Sequence, residues 1–108
     1  MGLAELAYRL TRRFPKEEVY GMTSPVRRSA ASIAANIAEG HGRENSGTFV
    51  QYLRISQGSL KELETHLMLA MRVNLAKEED VVPFLKRCDD LGKMIRSLIR
   101  SVQRRVDL

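Results

Sequence analysis

Tryptophan is absent from the 108 residues, cysteine occurs once, proline three times, and aromatic residues make up only 6%. A lone thiol, Cys88, cannot close an internal disulfide, so the fold must stand on its apolar core, and a reducing cytoplasm is the expected location. No run approaches the roughly 18 uninterrupted apolar residues of a membrane span, so no membrane partner is expected. The opening residues, MGLAELAYRL, lack the basic start and small-residue cleavage site of a secretory signal. No segment reads convincingly as a strand. Enzyme chemistry is missing too. Ser29, Ser32 and Ser59 have no base with an orienting partner. Gly40-His41-Gly42-Arg43 lacks the preceding strand and the Gly-Lys-Ser/Thr ending of a phosphate loop. His41 and His66 lie among Glu39, Glu62 and Glu64, but Glu62 and His66 stand four apart on one helix, with no second copy of the pair to complete a metal site. The expectation is a non-enzyme with no metal and no cofactor.

What the chain does have is helical periodicity and basic charge. Its length suits one domain, residues 1–108, with a modest core. Four helices are predicted, at about 3–13, 25–41, 48–73 and 78–105, with short connections that suggest an all-α, antiparallel up-and-down four-helix bundle. In the first, Leu3, Leu6, Ala7, Leu10 and Phe14 share a face, and Phe14-Pro15 stops it. The second opens with Ser24 as N-cap and Pro25 at the first helical position. Val26, Ala30, Ile33 and Ile37 form its apolar stripe. Ala31, Ala34, Ala35 and Ala38 beside it predict close neighbours on more than one side.

Ser46 or Thr48 is the expected cap of the third helix. Its seam, Phe49, Leu53, Ser56, Leu60, Leu63, Leu67, Ala70 and Asn74, follows the alternating three-and-four step of bundle packing. Gly58 in mid-helix costs on the order of 1 kcal/mol against alanine, which predicts close approach by another helix there. Glu78, Glu79 and Asp80 favour a helix start. Val81, Phe84, Cys88, Leu91, Ile95, Leu98 and Val102 continue that fourth helix, with irregularity expected near Pro83. Two of the helices carry more apolar face than one core requires, which predicts self-association.

The net charge is +5 and the pI about 9.8. Such a balance permits nucleic acid as a partner. Arg96, Arg100 and Arg104 stand four apart on one helix face, with Lys93 and Arg105 on or near the same side. Arg27 and Arg28 belong to a second group with Arg9, Arg12, Arg13 and Lys16. A helical arginine ladder suits backbone phosphates, giving salt-dependent affinity with little base specificity. A solvated helix face is the other reading. Asn36, Glu39, Arg43, Glu62 and Glu64 form a candidate structural polar network, because antiparallel packing of the second and third helices can bring them together.

Several motifs together resemble a known family. They are Leu10-Thr11 with Phe14-Pro15, Tyr20-Gly21, Arg27-Arg28, the run from Asn36 to Gly40, Gly42-Arg43, Gly58-Ser59 and the run from Glu62 to Thr65. The chain resembles the small four-helix-bundle proteins encoded by intervening sequences within 23S ribosomal RNA genes, closely over residues 5–75 and by pattern in the fourth helix. The accessory variability protein of diversity-generating retroelements is similar; it is a basic pentamer that binds nucleic acid and a reverse transcriptase. The family pattern has more helix before the motif that here begins at Tyr8. The resemblance implies a homopentamer and a binding or assembly role, with RNA, DNA or a nucleic-acid enzyme such as a reverse transcriptase as partner. It supplies no catalytic residues. The alternative is a protein-interaction or structural module that does not bind nucleic acid.

Overall fold

The computed structural model describes residues 2–107, apart from the side chains of residues 20, 106 and 107. Helices α1 (Gly2–Thr11), α2 (Ser24–His41), α3 (Ser46–Arg72) and α4 (Glu78–Asp107) form an antiparallel up-and-down bundle, with no strand among the described residues. Each helix packs on its neighbour in the chain, and α1 closes the ring against α4. The bundle measures 51 × 22 × 18 Å. Its length is set by α4, whose 30 residues rise about 45 Å at 1.5 Å each.

The three-and-four seams explain the packing. Leu53, Leu60, Leu63 and Leu67 of α3, Val26, Ala30 and Ile33 of α2, and Val81, Phe84, Cys88, Ile95, Ile99 and Val102 of α4 are all buried. Ala7 and Leu10 are the contribution of α1. Each fully buried leucine or isoleucine contributes about 1.5–3 kcal/mol, so this seam is the main source of stability. Cys88 is fully buried within it. Desolvation, with a smaller push from the Glu64 carboxylate, raises its thiol pKa to about 12. An unfolded thiol ionises near pH 9 while the folded one keeps its proton, so stability should fall as pH rises from about 9 to about 12. The native thiol should therefore resist a disulfide exchange reagent at pH 8. Its labelling rate should rise only with urea-induced unfolding, and rapid labelling of the native protein would contradict the packing.

Several local expectations change. Ser24 is not an N-cap. A π-helical turn, Val19–Thr23, runs straight into α2, and the Ser24 N–H donates to the Val19 carbonyl. Proline in an ordinary helix collides with the carbonyl four residues back. The wider turn just before Pro25 lets the helical path continue through it. Asn45, not Ser46 or Thr48, caps α3: its Oδ1 accepts the Thr48 N–H at 3.0 Å. Asn74, at φ 64°, ends the segment after α3, and the Leu75 N–H donates to the Ala70 carbonyl at 2.9 Å. Asparagine tolerates this left-handed conformation better than most residues.

Gly58 does not admit a neighbouring helix, since nothing lies within 4 Å of a Cβ placed there. The close approaches occur at Gly40 and Gly92 instead. A Cβ on Gly40 would sit 2.6 Å from the Cβ of Tyr52, and one on Gly92 would meet a Leu60 methyl at 3.3 Å. Nor are the alanines of α2 buried on a second side: Ala31, Ala35 and Ala38 are exposed and Ala34 is half-buried. Ten residues of α1 rise only about 15 Å. Beside Gly2, Leu3 and Ala4, a groove between α2 and α4 is lined by Ile33, Ala34, Ile37, Leu91 and Met94 with Arg87 and Asp90 at its rim. Finally, α4 is helical from Glu78 through Pro83, without the expected irregularity.

Candidate nucleic-acid interface

The arginine candidates separate into three environments. Arg27 is engaged inside the bundle. Its Nε donates to Thr11 Oγ1 at 2.7 Å, and that hydroxyl donates to the Ala7 carbonyl at 2.7 Å. The guanidinium also sits 4.3 Å from the centre of the Tyr8 ring. These contacts fasten α1 to α2 through a buried threonine and use the Arg27 Nε donor structurally. Arg28, one residue on, is exposed.

On α4, Lys93, Arg96, Arg100, Arg104 and Arg105 are all exposed. Lys93 is tied to Asp89 at 3.2 Å, and Lys86, one turn before Asp90, is tied to it at 2.9 Å. The Lys86 hydrogen bond holds the Asp90 carboxyl below its usual range. Arg96 and Arg100 have no ion-pair partner among the described residues. Residues four apart on a helix stand about 6 Å apart along its axis, so Arg96, Arg100 and Arg104 present donors at regular steps. Arg105 does not join them. At 100° per residue it falls in line with Met94, Leu98 and Ser101, on the flank that faces the groove.

Of the five residues of the candidate polar network, only Glu39 and Arg43 meet. Arg43 pairs with Glu39 on the surface and lies against Tyr52, its guanidinium 5.6 Å from the ring centre and 3.3 Å from the hydroxyl. Glu62 approaches His66 at 3.9 Å, and Glu64 approaches Lys61 at 3.7 Å. Each acidic residue approaches a base on its own helix, or just past its end in Arg43, although the buried His66 Nε2 makes no hydrogen bond among the described residues. The groups that do link α2 to α3 are hydroxyls. Ser32 and Ser59 share a hydrogen bond at 2.9 Å, Asn36 donates to the Ser32 carbonyl and hydroxyl, and Ser56 donates to the Ile33 carbonyl at 3.1 Å. A small polar residue at a seam position, as at Ser56, was the signal for this contact in the sequence.

Among the described residues no group of three or more His, Cys, Asp or Glu side chains could hold a metal ion. No described helix is long and apolar enough to cross a membrane. What the surface offers is guanidinium groups on a rigid helix. Such groups form charge-assisted, often bidentate bonds to phosphate oxygens.

No curated protein matches the chain. Among solved structures it is similar to a protein of unknown function from the S23 ribosomal protein family of Bacteroides thetaiotaomicron VPI-5482. The two share 24% sequence identity with a TM-score of 0.77, over 88% of this chain and 92% of that one. That likeness concerns the fold, and it is the same helical bundle. The sequence pattern described as 23S rRNA-intervening sequence protein matches residues 1–97, and with nearly all of its length covered the chain belongs to that family.

Proposed function

We propose that this chain is a non-enzymatic, homo-oligomeric helical bundle that binds nucleic acid through its basic surface and serves in the cytoplasm as accessory to a nucleic-acid enzyme, such as a reverse transcriptase. The pentamer implied by the family resemblance is the assembly we favour. The observation that carries the reading is the pair Arg96 and Arg100, exposed and without an acidic partner among the described residues. Of the other cations on α4, Lys86 and Lys93 are each neutralised by an acid one turn away, whereas an unneutralised pair keeps its full attraction for phosphate. Repetition around an oligomer would multiply it.

Reversing Arg96, Arg100 and Arg104 together to glutamate should abolish low-salt binding to mixed-sequence RNA and DNA while leaving the helical circular dichroism unchanged. In wild-type protein, the logarithm of the binding constant should fall with the logarithm of salt, and loss of the three contacts should account for about 2–3 units of that slope. Absence of wild-type binding at low salt would overturn the proposal.

The second reading, a self-assembling interaction module with a merely solvated basic face, is favoured by the exposed apolar side chains. Ile55 is 50% exposed, Val73 54% and Met94 60%. Apolar side chains left open in a single chain are suited to a second copy. Light scattering that reports an oligomer, together with no nucleic-acid binding, would select this reading.

A further inference from the structure

We infer that the ligand is a nucleic-acid duplex lying across the outer face of the α3–α4 pair, with Arg54 of α3 as a fourth phosphate-binding arginine beside Arg96, Arg100 and Arg104. The inference rests on the α4 reading above and adds to it a residue, a face and a ligand class.

The register of the two helices places Arg54. Gly92 packs against Leu60, and the charge of Glu64 is felt at Cys88. Both pairs fit one antiparallel alignment, in which each step back along α3 is a step forward along α4. Six residues before Leu60, Arg54 comes level with Leu98, between Arg96 and Arg100.

Its flank follows from its neighbours. Tyr52, Ser56 and Ser59 face α2. Leu60 and Glu64 face α4. Stepping back from Glu64 by three and four residues reaches Lys61, Gln57 and Arg54, on the same α4-side flank. From the other side, an Arg96 guanidinium nitrogen lies 3.4 Å from the Cβ position of Gly92, the residue that meets Leu60, so Arg96 leans toward α3.

Charge is unevenly spread along this face. At one end Lys61 is paired with Glu64 and Lys93 with Asp89. Toward the other end Arg54, Arg96, Arg100 and Arg104 are interleaved with the neutral donors Gln51, Gln57 and Gln103, all but the half-buried Gln57 exposed. None of these four arginines has an ion-pair partner among the described residues.

The absence of aromatic residues from the face selects the ligand. Phe49 and Tyr52 turn toward Gly40 of α2, Phe84 is buried, Phe14 is buried after α1, and Tyr8 lies under Arg27. Proteins that hold single strands stack bases on aromatic side chains, and among the described side chains none on this face can do so. A row of three cations on α4, with Arg54 beside it at the roughly 8–10 Å of helix packing, instead offers contacts to both backbones of a duplex. A duplex also carries one charge per roughly 1.7 Å of its axis, more than one strand does. A flat two-helix face reaches backbones and not base edges, so no sequence preference is expected.

The test uses the full chain, with mixed-sequence duplex DNA, duplex RNA and the corresponding single strands, titrated at several salt concentrations. Duplexes should bind more tightly than single strands. Arg54→Ala should reduce the salt slope by about 0.9 for each chain that contacts the duplex, and Arg54→Lys should retain most of it. Arg9→Ala, on α1, should change neither affinity nor slope. Tighter binding of single strands, or duplex binding unchanged by Arg54→Ala while the α4 triple variant loses it, would overturn this inference alone. No binding of any nucleic acid by the wild-type chain would remove the α4 reading with it.

Discussion

Gly40→Ala should destabilise the bundle by a net ~2 kcal/mol, although alanine is the better helix former by about 1 kcal/mol. The reason is the approach of α2 to α3. The new Cβ would stand 2.6 Å from the Cβ of Tyr52 and 3.0 Å from a Phe49 ring carbon. A Cβ cannot rotate away from its own backbone, so relief requires the helices to separate. Separation would loosen the whole α2–α3 seam, including the Ser32–Ser59 and Ser56–Ile33 hydrogen bonds. Urea unfolding should show a lower midpoint with an unchanged slope. Gly58→Ala is the matched control, because the added methyl meets nothing and should stabilise by up to about 1 kcal/mol. If Gly58→Ala instead destabilised the protein, and did so more at higher protein concentration, Gly58 would belong to a contact with a second copy. Equal effects of the two substitutions would contradict the α2–α3 geometry.

Pro83→Ala should raise stability by about 2 kcal/mol. Proline in a helix interior costs about 3 kcal/mol relative to alanine. Some of that returns through the stiffer unfolded chain, on the order of 0.4–1 kcal/mol. The helix begins at Glu78, and the Asp80 and Val81 N–H groups both reach the Lys77 carbonyl at 3.0 Å. Pro83 therefore lies past the first turn, where it leaves the Glu79 carbonyl without its helical donor. The helix survives because Glu79, Val82 and Pro83 are exposed and water can serve that carbonyl. On the opposite side Val81 and Phe84 are anchored in the core. Thermal unfolding measures the gain directly. A variant no more stable than the parent would mean that the first turn frays in solution, which is the irregularity the sequence suggests.

The proposed binding face divides between local and assembled information. The spacing of Arg96, Arg100 and Arg104 is a property of one helix and is legible from the sequence. Arg54 is far from them in the chain, and only the α3–α4 register makes it their neighbour. Arg27 is the converse case. It lies in a basic stretch of sequence, yet its guanidinium is held by Thr11 and Tyr8 of another helix, with Nε donating to the Thr11 hydroxyl. Burial and partners, not charge alone, separate a structural arginine from an available one.

Helix number, helix order and the buried seams were determined by the sequence itself, because the period of apolar residues and the breaks at proline, glycine and asparagine act within a few residues. Tertiary structure alone decided which glycine admits a neighbour. Gly58 and Gly40 both occur in helical sequence with small residues near them, but the separation of two helices is set by side chains from both. It likewise decided that Glu39, Glu62 and Glu64 pair locally and that hydroxyls, not carboxylates, join α2 to α3. A short side chain can reach across a close helix contact without carrying charge into it, whereas a carboxylate is better served by water and a base one turn away.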